Sequence, residues 1–232
     1  MSEALPAEKF VALMRAEGGR RYHDTHPFHL RMHEGALSRD ELQAWVRNRY
    51  YYQTRVPIKD AVILSKSEDP AFRRLWIHRI HDHDGAREGE GGLAQWLRLA
   101  EAAGLDPAEV ASCSSVLPGV RFACDGYVQL VRESALVVAV ASSLTEFFAP
   151  DLMSTRIAAW EKHYPWVAAS GLEYFKNRVT FARRDSQEAI AFVTARATTP
   201  ELQAACVAAL VRKTEVLWHL LDCVQAATGS SR

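Results

Sequence analysis

Residues 199–227, TPELQAACVAALVRKTEVLWHLLDCVQAA, read as one long helix and set the fold class. Thr199-Pro200-Glu201 is a helix start. Leu202, Cys206, Leu210, Leu217 and Leu221 then recur on one face at helical spacing. Lys213 falls on that same face. A buried ammonium is costly unless it is paired. Either the lysine stem snorkels out from the stripe edge, or an anionic group meets it inside.

The rest of the chain repeats this helical pattern. Pro6 opens a helix through about Ala16, and Ser38-Arg39-Asp40-Glu41 is a capping box. The helix it starts runs to about Val56, where Pro57 kinks or restarts it. Asp69-Pro70 starts a helix ending near His83, Leu93–Ala103 forms another that Gly104 stops, and Asp106-Pro107 starts a short one. Pro118–Glu133, Ser134–Ala149, Asp151–His163, Ser170–Ala182 and Asp185–Ala197 follow. No segment shows sustained period-2 alternation bounded by hairpin turns. The expectation is an all-α compact helical bundle, a single domain over residues 1–232 with its core at about 5–227 and residues 228–232 as a frayed tail.

Composition narrows the function classes. Lys+Arg 28 balance Asp+Glu 28, so the chain lacks the basic surplus of a general nucleic-acid binder. The longest apolar run, Ala135–Ala141, is too short to span a bilayer, and MSEALPAEKF lacks a signal peptide's apolar core. The four cysteines contain no C-x-x-C pair, which fits free thiols in a reducing compartment. A cytoplasmic protein without nucleic-acid or membrane partners is expected.

Chemistry-bearing residues gather in several places. In RIHDHDGAREGEGG, residues 79–92, a helix carrying Arg79, His81 and His83 stops at Gly85 and gives way to an acidic, glycine-rich loop. That loop reads as a lid or crossover without a fixed shape of its own. Glu146 and Thr145 sit in the apolar stretch Ser134–Ala149, which places the carboxylate beside a buried cation or a polar cavity. Arg49 with Gln53, and Tyr174 with Arg178, are i, i+4 pairs that project from one helix face. Together with Arg79, Arg156 and Lys213 they point to cations converging on a ligand with several carboxylates.

The segment Tyr22–His29, YHDTHPFH, makes a metal site the rival reading. The chain lacks the E-x-x-H pairs of carboxylate-bridged di-iron helices. His78, His81 and His83 do not share one helix face. No metal is therefore expected.

These stretches together resemble the pyrroloquinoline-quinone synthase family. The likeness runs from Phe10 to Leu221 and is carried by YHDTHPFHLRMHEG from Tyr22, RNRYYYQTRVPIKD from Arg47 and HDHDGAREGEGG from His81. VLPGVRFACDGY from Val116, SSLTEFFAPDLMSTRI from Ser142 and HYPW from His163 continue it. The resemblance implies a haem-oxygenase-like homodimer without haem, metal or other cofactor. It further implies ring closure and eight-electron oxidation of a bicyclic tricarboxylate precursor to pyrroloquinoline quinone (PQQ), with dioxygen as co-substrate, hydrogen peroxide released and PQQ as bound product. His83 would be the principal acid/base residue, and Tyr174 with Arg178 would close over the product and help bind the oxygen species. Tyr22, His23, Arg49, Gln53, Lys59, Arg79, Tyr127, Thr145, Glu146, Met153, Arg156 and Lys213 would surround the substrate. Met153 stands where the family usually has a histidine, so a non-catalytic or impaired PQQ-binding protein is the alternative. Thiaminase II chemistry needs a nucleophilic cysteine in a His/Asp-rich setting, and none is expected here.

Overall fold

The structure, a computed structural model, describes residues 3–229. They form α1 (Ala7–Gly19), α2 (Pro27–His33), α3 (Arg39–Ser65), α4 (Pro70–Trp76), α5 (His78–Asp84) and α6 (Gly91–Ala102). These are followed by α7 (Pro107–Ser112), α8 (Pro118–Glu133), α9 (Leu136–Ser142), α10 (Ala149–His163), α11 (Glu173–Arg196) and α12 (Pro200–Gly229). No strand occurs among the described residues. The helix α12 continues through Thr228 and Gly229; the other residues of the expected tail, 230–232, lie outside the described residues.

Local chemistry explains several starts. Ser38 Oγ accepts the Glu41 N–H while the Glu41 carboxylate accepts the Ser38 N–H, closing the capping box. Asp69 and Asp106 each accept the N–H two residues on, with proline at the first helical position. At α2 the Nδ1 of His26 accepts the Phe28 N–H at 3.0 Å.

Four expected boundaries are corrected. Pro57 does not interrupt α3, which runs from Arg39 to Ser65 with Pro57 buried inside it; packing against α8, α5, α6 and α12 outweighs the missing hydrogen bond. The expected breaks around Arg183 and Arg184 are absent because Asp185 is a buried ion-pair centre within a continuous α11. The expected Ser134–Ala149 helix instead splits into α9 and a 3₁₀ segment, Ser143–Phe147. The expected Asp69–His83 helix likewise breaks at Ile77 into α4 and α5.

Within residues 136–163, an 18-residue window has a mean hydropathy of 1.4, enough by length and composition to cross a membrane. Here 67% of it is buried within the fold, and the 3₁₀ segment interrupts it. It is a core segment.

Two apolar clusters fill the bundle. One centres on Trp45, Trp96, Trp160 and Phe175, whose rings meet edge-on or tilted at 5.5–6.4 Å. The other joins Phe10, Trp76, Phe192 and Leu210 from α1, α4, α11 and α12.

Candidate active site

A cavity draws on both clusters, taking Tyr22, Trp96 and Tyr174 from the first and Tyr127 from the second. Its position follows from one face of α3. Arg49, Tyr52, Gln53, Val56 and Lys59 recur at helical spacing and all line it. Opposite them stand His83 from α5, Glu146 from the 3₁₀ segment, Met153 and Arg156 from α10, Tyr174 and Arg178 from α11, and Lys213 from α12.

Of the residues expected at the site, His23 and Arg79 do not line the cavity. His23 stands behind Tyr22, with ring centroids 4.4 Å apart at 88°. Arg79 lies behind Glu146, which it meets at 2.8 Å. The lining also includes Tyr52, Val56, Trp96, Ser143, Ala149 and Leu217, none of them among the expected site residues; Leu217 was expected only on the apolar stripe that carries Lys213. Tyr52 and Val56 were legible, because they complete the stripe defined by Arg49 and Gln53. Trp96 carried no signal in its neighbourhood.

The cations divide into two groups. In the first, carboxylates neutralise the charge. Lys59 Nζ meets Asp60 at 2.7 Å and donates to Ser143 Oγ at 2.8 Å. Arg178 meets Glu146 at 3.5 Å and Asp185 at 3.4 Å, and Arg79 also donates to the Asp185 carbonyl. Burial alone would lower the Arg178 guanidinium, but Tyr174, Glu146 and Asp185 raise it.

The second group has no carboxylate partner among the described residues. Lys213 is 1% exposed, its Nζ has no hydrogen-bond partner, and it sits 3.6 Å from the Tyr127 ring centroid and 4.0 Å from that of Tyr52. Burial, with Arg49 nearby, pushes its pKa well below the usual lysine value. The snorkelling alternative is thereby overturned. Arg49 lies 4.0 Å over the Tyr52 ring with Nη1 unpartnered. Arg156 touches the Trp45 and Phe175 rings at 4.9 and 5.5 Å, and its Nη2 meets His29 Nε2 at 3.2 Å. Burial and Arg49 bring its pKa down to about 9.

His83 is prepared as a proton acceptor. The Arg79 carbonyl, which can only accept, meets its Nδ1 at 3.1 Å, so Nδ1 carries the hydrogen and Nε2 the lone pair. Burial, followed by the charge of Arg178, lowers its pKa to about 4. The crossover that follows is a tight turn rather than a segment without a shape. Gly85 and Gly91 both take positive φ, and a Cβ on Gly91 would come within 2.4 Å of the Gly85 nitrogen. Arg98 donates to the Gly89 carbonyl at 3.1 Å.

Two side-chain clusters lie outside the cavity. His78, Asp185 and Glu188 bring one ligand atom each within 4.8 Å of one another, replacing the His78/His81/His83 set considered from sequence. The Asp185 carboxylate there is already held by Arg178 and Arg184, a poor setting for a dication. Cys223 Sγ does stand beside a histidine, 3.4 Å from His219 Nε2. That corrects the expectation of no such pairing, but burial raises its pKa and no cysteine lines the cavity among the described residues.

The fold and site together define a haem-oxygenase-like helical protein. A domain from Shewanella denitrificans described as having a heme oxygenase-like fold superposes with a TM-score of 0.73 at 14% identity, over 96% of this chain and 91% of that one. A TenA homologue from Pseudomonas syringae pv. tomato gives 0.74 at 12% identity, covering 97% and 99%. Within that class, residues 12–223 match the TENA/THI-4/PQQC family, and the chain belongs to it. The pyrroloquinoline-quinone synthase of Rhizobium rhizogenes is 50% identical over 98% of this chain and 92% of its own length. That of Xanthomonas oryzae pv. oryzae is 48% identical over 98% and 91%.

Proposed function

We propose that the protein is a pyrroloquinoline-quinone synthase, closing the last ring of a bicyclic tricarboxylate precursor and oxidising it with dioxygen to PQQ, with hydrogen peroxide released. The observation that carries this reading is the group of buried cations, Arg49, Arg156 and Lys213, held only by aromatic faces and neutral groups. Each lacks a counter-anion among the described residues, and a tricarboxylate supplies it.

The chemistry then rests on side chains. Arg49, Arg156 and Lys213 fix the carboxylates, with Tyr22, Gln53, Tyr127 and Thr145 shaping the pocket. His83 Nε2 takes a proton from bound substrate, and its imidazolium stabilises the anion left behind. Tyr174 and Arg178 close the pocket and help bind the reduced oxygen species, and Lys59 and Arg79 hold the opposite wall in register through Ser143 and Glu146. An electron-rich quinol reduces dioxygen itself, so this reading assigns no resident cofactor or metal. Aerobic incubation with the bicyclic precursor tests it: a PQQ spectrum and peroxide, unaffected by chelator, are expected, and absence of both overturns it.

A second reading is a PQQ-binding protein with impaired turnover. Met153 favours it: the thioether lines the cavity, 4.0 Å from Arg156 Nη1, and relays no protons.

A cytoplasmic homodimer belongs to the same proposal. Phe122, 81% exposed, and Ile58, 40% exposed, share one surface depression with Arg55, Asp125 and Arg132, a mixed apolar and charged patch that a second copy could cover. A stable interface buries above ~1,200 Å² in total. Sedimentation should show a species well above the 26.0 kDa of one chain.

A further inference from the structure

His29 lies outside the cavity lining and in none of the roles above, yet its ring is tied at both nitrogens. It sits on α2, 1% exposed. Its Nδ1 meets the His23 carbonyl oxygen at 2.9 Å. A carbonyl only accepts, so Nδ1 bears the hydrogen, and Nε2 is left with a lone pair. That lone pair faces Arg156 Nη2, which only donates, at 3.2 Å. The hydrogen-bond pattern therefore defines one neutral tautomer, and a second N–H on Nε2 would point at a guanidinium.

The charged and titratable groups around His29 all oppose its protonation. Arg156 comes from α10, Arg49 from α3, His23 from the 3₁₀ turn His23–Thr25, and His33 from α2 itself. The Trp45 ring adds an apolar wall at 6.1 Å. Among the described residues Arg156 in turn has only neutral partners: His29, the Met153 sulfur and the two aromatic rings. The neighbouring cations Arg79 and Arg178 are held differently, since Glu146 and Asp185 neutralise them.

We infer that His29 is a positioning residue: it orients the Arg156 guanidinium without neutralising it, and so reserves that charge for a substrate carboxylate. A carboxylate in its place would hold the arginine equally firmly but occupy the charge. This inference rests on the proposed binding of a tricarboxylate.

Two measurements test it. Calorimetry with PQQ compares the native protein with His29→Gln, which keeps a neutral acceptor, and His29→Glu, which adds an anion. His29→Gln should bind within a few-fold of native, while His29→Glu should lose about tenfold or more, since an occupied guanidinium forfeits a charge-assisted contact. Equal affinities for the two variants overturn the inference, because a purely structural role does not distinguish them by charge. The second measurement is the ¹⁵N spectrum of imidazole nitrogens in the unliganded protein. His29 should hold one neutral Nδ1–H tautomer at pH 6, and an imidazolium there overturns the inference whatever the ligand. Failure of native protein to bind PQQ overturns the functional reading instead, and the tautomer result then stands or falls separately.

Discussion

The Tyr174 hydroxyl donates to Gln53 Oε1 at 2.8 Å, joining the first turn of α11 to the middle of α3 through the cavity wall. Both residues are buried, and both side chains line the cavity. Tyr174→Phe leaves the Gln53 amide oxygen unsatisfied, at a cost of about 1–3 kcal/mol. Urea denaturation should show this loss, and turnover should fall with it because the group that closes the pocket is gone. Unchanged stability would mean that Gln53 finds another donor.

Lys213 sets function against stability. Its ammonium is buried with no hydrogen-bond partner, and only aromatic faces compensate it. Lys213→Met removes the buried charge while keeping most of the volume, so the unliganded protein should become more stable. Affinity for PQQ should fall by roughly 2–5 kcal/mol, as expected when one partner of a buried charge pair is lost. A variant that gains no stability would show that the Tyr52 and Tyr127 rings fully repay the desolvation.

Acid should destabilise the unliganded protein well above the carboxylate range. His83 has its pKa lowered to about 4, and His23 and His29 lie well below the ordinary histidine value, all through burial first and neighbouring cations second. In the unfolded chain each titrates near ~6.5. The unfolded state therefore binds more protons below that pH, and stability falls as pH drops from about 6.5 toward 4. Each such histidine contributes ~1.4 kcal/mol per pH unit within the window. Denaturation midpoints between pH 7 and pH 4.5 test the slope; a flat profile would place these imidazoles in contact with water.

Met153 decides between full and impaired turnover. It lines the cavity, and a positioned acid/base group contributes about 10²–10⁴-fold. Met153→His should therefore speed overall conversion, up to that range, and shorten the life of any reduced quinol intermediate. Identical stopped-flow traces under air for both proteins would make Met153 a packing residue that fills the histidine's space.

The helices were legible in the sequence wherever a cap or a proline announced them, as at Ser38, Asp69, Asp106 and Pro118. The errors lie where tertiary contacts override local signals. Pro57 is carried through α3 by burial, and Asp185 looked like a new helix start because aspartate favours N-caps. The apolar stretch before Ala149 has no polar face to show where the α-helix tightens into the 3₁₀ turn that presents Glu146. Site residues with charge on an apolar stripe, such as Lys213 and Arg49, stood out. Trp96 and the stripe residue Leu217 did not stand out as cavity walls, since a core residue and a cavity wall have the same composition. His29 stood out only within a histidine-dense segment that suggested a metal, because its role depends on which nitrogen carries the hydrogen.

The central claim is that these side chains let a bound quinol precursor reduce dioxygen, with His83 moving the proton. Dioxygen uptake by the native protein mixed with the bicyclic precursor, chelator present, tests it most directly when run beside His83→Ala. The account predicts rapid uptake with peroxide formed by the native protein, and uptake nearly abolished in the variant while PQQ still binds. Equal uptake by the two proteins, or none by the native protein at saturating precursor, would contradict it.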